Sequence, residues 1–307
     1  MRKYRYYTLD VFTNKPFSGN PLAVFPEAGG ITDEEMQSIA NELNLSETVF
    51  VLDSETALKR LRIFTPSQEL PLAGHPVVGT WNLLATLEIT PQTDDGSIRI
   101  EQELKLGVLP VTLNFKNGQI ETVEMRQGAF EAANTIDSPP DRAALAEALG
   151  LEQNDLGNER TEIIQVVSTG IRSIAVPVKS LEVQKRISVK PDELADIYLK
   201  YGAVGAYTFS FETLDSDSLV HARFFAPADG IPEDPATGSA AGALSGYLVN
   251  NGVVSESEFV IEQGDLMGRP SRIFAKVDGS KGEVKAVYIK GKAVILMEGT
   301  LSLETDD

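Results

Sequence analysis

Two segments place residues of chemical use beside a glycine that opens a helical pattern: RIFTPSQELPLAGHPVVG at 62–79 and RFFAPADGIPEDPATGSAAG at 223–242. Free backbone N–H groups and the positive end of a helix dipole attract an anion at such a start. Gly74 with His75, and Gly238 with Ser239, could therefore each present donors to a carboxylate or an oxyanion. One such glycine is explained by a tight loop; two at equivalent places favour the anion reading. His75, at the loop-to-helix junction, is open to a structural role or to one as a proton relay, since imidazole titrates near neutrality. Asp234, four residues before Gly238, is either a solvated loop acid or a carboxylate that holds a substrate amine or hydroxyl. Glu47, in SETVFVL, has apolar neighbours that could partly desolvate it and raise its pKa towards that of a general base, although any strand can begin with an acid.

The two segments are copies of one another. Arg62 falls on Arg223, Phe64 on Phe225 and Pro66 on Pro227; past a three-residue difference in loop length, Glu69 falls on Glu233, Pro71 on Pro235 and Gly74 on Gly238. Duplication of one supersecondary unit accounts for such self-similarity. The elements around them follow the same outline. Alternation predicts strands at 3–12, 46–52 and 58–64, and TDEE at 32–35 caps a helix at about 33–43. A helix over roughly 76–87 carries Val78, Trp81, Leu84 and Ala85 on one face. Strands at 97–103, 108–115 and 120–126 follow. EAANTIDSPPD at 131–141 reads as a crossover loop, which divides the chain into domains 1–130 and 131–307.

Composition removes several classes of function. The chain has 307 residues, 42% hydrophobic and 23% charged, which suits two globular domains. Its 45 acidic and 27 basic residues give a net charge of −18, unfavourable for nucleic acid and for anionic membrane surfaces. There is no cysteine, so disulfides, thiolate metal sites and thiol nucleophiles are excluded. With two distant histidines a transition-metal site is not expected. No signal sequence or membrane span is expected, and a cytoplasmic location is compatible with the composition. Phosphate-loop, dinucleotide and hydrolase-elbow motifs are missing, and no cofactor is expected.

DVFTNKPFSGNPLAVF at 10–25, NLSETVFV at 44–51, ELPLAGHPVVGT at 69–80 and EDPATGSAAGAL at 233–244 resemble the signature segments of the phenazine-biosynthesis PhzF family, in order and essentially end to end. The resemblance implies a diaminopimelate-epimerase-like α+β fold: two similar domains, pseudo-twofold related, each a curved sheet or half-barrel around a central helix, with the site in the cleft between them. The run at 293–303 is left with two placements, since in the related epimerases the last strand returns to the first domain. By similarity Glu47 is the acid/base carboxylate, His75 and Asp234 line the site, and Gly74, Gly238 and Ser239 cradle a substrate carboxylate. The family's best-known member isomerises trans-2,3-dihydro-3-hydroxyanthranilate without a cofactor, and a homodimer is compatible with the resemblance. The related two-thiol racemases are excluded by the lack of cysteine. The alternatives are a non-catalytic small-molecule-binding or regulatory protein on the same fold, and an epimerase that uses carboxylates on both faces.

Overall fold

The computed structural model describes residues 1–304, which form two compact units: residues 1–125 with 290 onward, and residues 126–289. In the first unit β1 (Arg2–Val11) and β2 (Asn20–Phe25) are antiparallel. Helix α1 (Asp33–Leu43) follows, its start fixed by a reciprocal cap in which Thr32 accepts from the Glu35 N–H and the Glu35 carboxylate accepts from the Thr32 N–H. Its Met36, Ile39 and Ala40 pack on a ladder of rings, Tyr6 on Phe25 on Phe50, with centroids 5.3 and 5.0 Å apart. Strand β3 (Glu47–Leu52) lies parallel to β2 and antiparallel to β4 (Lys59–Phe64), which turns into the short β5 (Glu69–Leu70). Then come α2 (Gly74–Thr86) and the meander β6 (Gly96–Leu104), β7 (Gly107–Lys116) and β8 (Gln119–Arg126).

The second unit repeats this order. An edge strand β9 (Glu131–Thr135) pairs with β10 (Gln165–Ser168), and α3 (Pro139–Ala148) lies between them in sequence. Next are β11 (Arg172–Pro177), α4 (Leu181–Arg186), α5 (Pro191–Lys200), β12 (Ala206–Ser210), β13 (Val220–Ala226) and β14 (Ile231–Asp234). Helix α6 (Gly238–Asn250) and the strands β15 (Glu258–Gln263), β16 (Ser271–Ser280) and β17 (Glu283–Gly291) complete the series. Finally β18 (Ala293–Leu303) pairs antiparallel along all of β1, from Arg2 opposite Leu303 to Val11 opposite Ala293, so the last strand belongs to the first unit.

Two expectations change. Helix α2 has no solvent face: every residue from His75 to Ala85 is buried, and in α6 so is every residue from Ala240 to Val249. Each is a central helix wrapped by its own sheet, which sequences as apolar as VVGTWNLLA and AAGALSGYLV require. The stretch read as a crossover loop begins instead with strand β9. Its residues are mostly exposed and carry no apolar alternation, so backbone pairing with β10, which the local sequence does not encode, makes the strand.

Candidate active site

In the first unit Glu47 opens β3 and His75 is the second residue of α2. The pairing of β3 with β2, Leu22 opposite Glu47, sets the carboxyl at the strand end next to the helix start. The two side chains meet, with His75 Nε2 3.0 Å from Glu47 Oε2 and only 7% and 15% of the respective side chains exposed. The contact is short but not aligned as a hydrogen bond, so a small rotation of either side chain brings the two into line for proton transfer, one serving as base while the other carries the proton onward. Ala73, at the cap of α2, gives no side-chain hydrogen bond to the first turn. The N–H groups that begin at Gly74 therefore have no intrahelical acceptor and face the end where His75 sits.

In the second unit Gly238 opens α6 and is buried, with Ser239 half-buried behind it. The side chain of Thr237, at the cap position, makes no bond to the first turn; its hydroxyl donates instead to Asp234 Oδ2. Asp234 ends β14, three residues earlier, and is likewise half-buried. The structure thus brings Glu47 and His75 together in one unit and Asp234, Thr237 and Gly238 together in the other.

Strand pairing tests the duplication residue by residue. Arg62 binds Glu69 at 2.8 Å and lies over the Phe64 ring; Arg223 binds Glu233 at 2.8 Å and lies over the Phe225 ring. Ile63 pairs with Leu70 where Phe224 pairs with Asp234, so Asp234 occupies the position of Leu70. Thr48 pairs with Phe64 where Ala206 pairs with Phe225, which puts Gly205 at the position of Glu47. There a Cβ would lie 2.7 Å from the Phe224 ring and 2.7 Å from the Phe225 carbonyl oxygen. The second copy has no room for an acid at that place.

His221, the other histidine of the chain, is fully buried with Nδ1 2.8 Å from Glu262 Oε1. With Asp265 these residues could be taken for metal ligands, their donor atoms lying within 4.8 Å of one another. Arg272 already supplies the positive charge, contacting Asp265 at 3.0 Å and Glu262 at 3.7 Å. Burial pushes the Glu262 carboxyl up, but hydrogen bonds from His221 and from the N–H groups of Leu214 and Asp215 outweigh it and hold the group below its ordinary 4.5. A depressed carboxyl stabilises the fold above its unfolded value and loses that contribution as pH falls through the folded one. Glu262→Gln is expected to flatten the fall of Tm between about pH 5 and 3 relative to the wild type. Identical slopes in a thermal-shift series would refute this.

One element was missed in the sequence. EQGDLMGRPS at 262–271 supports EDPATG at 233–238: the Ser271 hydroxyl donates to the carbonyl oxygens of Pro235 (3.0 Å) and Gln263 (2.8 Å), and the Gln263 amide reaches Asp234 and Thr237. Its Gly, Gln and Ser, clustered before a strand, were the available signal.

The family model for phenazine biosynthesis-like proteins, PhzC-PhzF, matches residues 9–299. The chain belongs to the PhzF family. It is 36% identical to an uncharacterized isomerase of Clostridium acetobutylicum, over 99% of this chain and 99% of that protein. To the trans-2,3-dihydro-3-hydroxyanthranilate isomerase of Pseudomonas aeruginosa it is 34% identical, over 96% and 98% of the two chains. The crystal structure of a Bacillus anthracis PhzF-family protein superposes with a TM-score of 0.87 at 32% identity, covering 99% of this chain and 100% of that one. The α+β architecture is thus the diaminopimelate-epimerase-like one of the PhzF family, and the chain is an isomerase.

Proposed function

We propose that this PhzF-family chain moves a proton between carbons of a small, carboxylate-bearing substrate resembling dihydro-hydroxyanthranilate, with no cofactor. The observation that carries the reading is the buried contact of Glu47 with His75 at 3.0 Å. Glu47, as carboxylate, takes a proton from a C–H bond; the electron pair shifts through the conjugated system; and the same proton returns at another carbon, directly or through His75. No atom is gained or lost: the shift leaves an enol, and loss of its hydroxyl proton with protonation at the adjacent carbon gives the ketone tautomer. The open N–H groups at Gly74 and at Gly238 and Ser239 serve the substrate carboxylate, so the charge that develops in the ring meets fixed donors. Asp234 holds the substrate amine or hydroxyl. The second unit's share in this reading is supported by the duplication, which gives it a helix start equivalent to that of α2 but a carboxylate where the first copy has Leu70.

The test is turnover of trans-2,3-dihydro-3-hydroxyanthranilate in heavy water, followed by NMR. The expected product is the ketone, with solvent deuterium incorporated at carbon to the extent that Glu47 exchanges its proton before returning it. Deuterium at an unmoved carbon, with the double bonds in place, would instead identify an epimerase. No turnover and no exchange would remove the assignment of substrate class.

A further inference from the structure

Gln263 is fully buried, and its amide makes four hydrogen bonds. Nε2 donates to the Asp234 carbonyl oxygen at 2.7 Å and to Thr237 Oγ1 at 3.0 Å. Oε1 accepts from the Thr237 backbone N–H at 3.1 Å and from the hydroxyl of buried Tyr207 at 2.8 Å. The backbone N–H can only donate, so Oε1 must face it and the orientation of the amide is settled. Because Nε2 then donates to Thr237 Oγ1, the Thr237 hydroxyl hydrogen is left to point at Asp234 Oδ2, where a bond is found. Asp234 is thereby held as an acceptor.

The first copy shows that this is not what the fold needs. Val49 stands at the place of Tyr207, Leu70 at that of Asp234, and Ala73 at that of Thr237. On the neighbouring strands, Arg60 pairs with Glu103 as His221 pairs with Glu262, so Leu104 stands at the place of Gln263. Four apolar residues in one unit answer four polar ones in the other. A buried polar network costs desolvation that an apolar set avoids, so its presence in one copy alone calls for a role other than stability.

We propose that Gln263, braced by Tyr207, is a positioning residue that fixes the Asp234 carboxylate and the first turn of α6 in the geometry that receives substrate. It acts through Asp234 and Thr237, touches no reacting atom, and rests on the function proposed above.

Two readouts test it. With trans-2,3-dihydro-3-hydroxyanthranilate, Gln263→Leu, which installs the first copy's residue, should lower kcat/KM about tenfold or more, the worth of one or two lost hydrogen bonds. In an Asp234→Ala background the same change should do nothing further, because the two act as one unit. Additive losses would overturn the proposal. Without substrate, backbone amide exchange over residues 235–240 should quicken about tenfold in Gln263→Leu, and less in Tyr207→Phe, while α3 and α5 exchange as in the wild type. Unchanged exchange at 235–240, or equal quickening throughout the unit, would show Gln263 to be ordinary core. If the wild type turns over nothing, the function fails while the exchange experiment still decides the role of Gln263. If Gln263→Leu does not fold, Tyr207→Phe, which keeps the ring and removes one donor, carries both readouts.

Discussion

Glu47→Gln should reduce kcat by about 100-fold to 10,000-fold, the range that a positioned acid/base group contributes. The amide keeps the size of the carboxyl and can stay beside His75, so the change removes the ability to take a proton and little else. KM should stay within about threefold, because binding is assigned to other groups. Steady-state kinetics on the dihydro-hydroxyanthranilate substrate give both values. A variant with near wild-type kcat would show that the base is another group. A large rise in KM at constant kcat would show that Glu47 binds substrate without moving its proton.

Gly264→Ala is expected to strike stability and activity together. Gly264 has φ +81°, and a Cβ there would sit 2.4 Å from the Arg269 carbonyl oxygen and 2.5 Å from that of Pro235. Both obstacles are backbone, which cannot rotate away as a side chain could. Strain in the left-handed region and overpacking together come to about 3 kcal/mol. In a unit of this size that lowers Tm by about 6–12 °C. Because Pro235 adjoins Asp234, kcat/KM should fall even at temperatures where the variant is fully folded. A variant with wild-type Tm would mean that the two loops can separate without loss, and that the segment at 262–271 does not hold its neighbour.

How much of this could be read beforehand differs from element to element. Helix α1 was legible to the residue, because Thr32 and Glu35 cap it through contacts within four residues of chain. Most strands of the first unit were legible within one or two residues, their alternation being local. Strand β9 was not, since its only support is a partner 30 or more residues away in sequence. The burial of α2 on all sides was present in its letters, where from His75 to Ala85 only His75, Thr80 and Asn82 interrupt apolar or small residues. Reading one face of it assumed a surface helix. The relation of Asp234 to Leu70 followed from the repeat, and the strand pairing gives the same correspondence. Glu47 and His75, 28 positions apart, could be named as candidates without any means of placing them side by side. Gln263 was invisible for a further reason: a strand glutamine has the same letter whether it meets water or orients an aspartate.

The glycine that answers Glu47 bears on the history of the duplicated gene. Once Phe224 and the Phe225 carbonyl had closed over position 205, any later change to an acid there would have met 2.7 Å contacts on two sides. A single codon change would not by itself give twofold chemistry, because the neighbours would have to move first. Specialisation of the two halves works here as a ratchet. An engineer seeking a symmetrical two-base catalyst on this scaffold should expect to rebuild the floor under residue 205 before placing the acid.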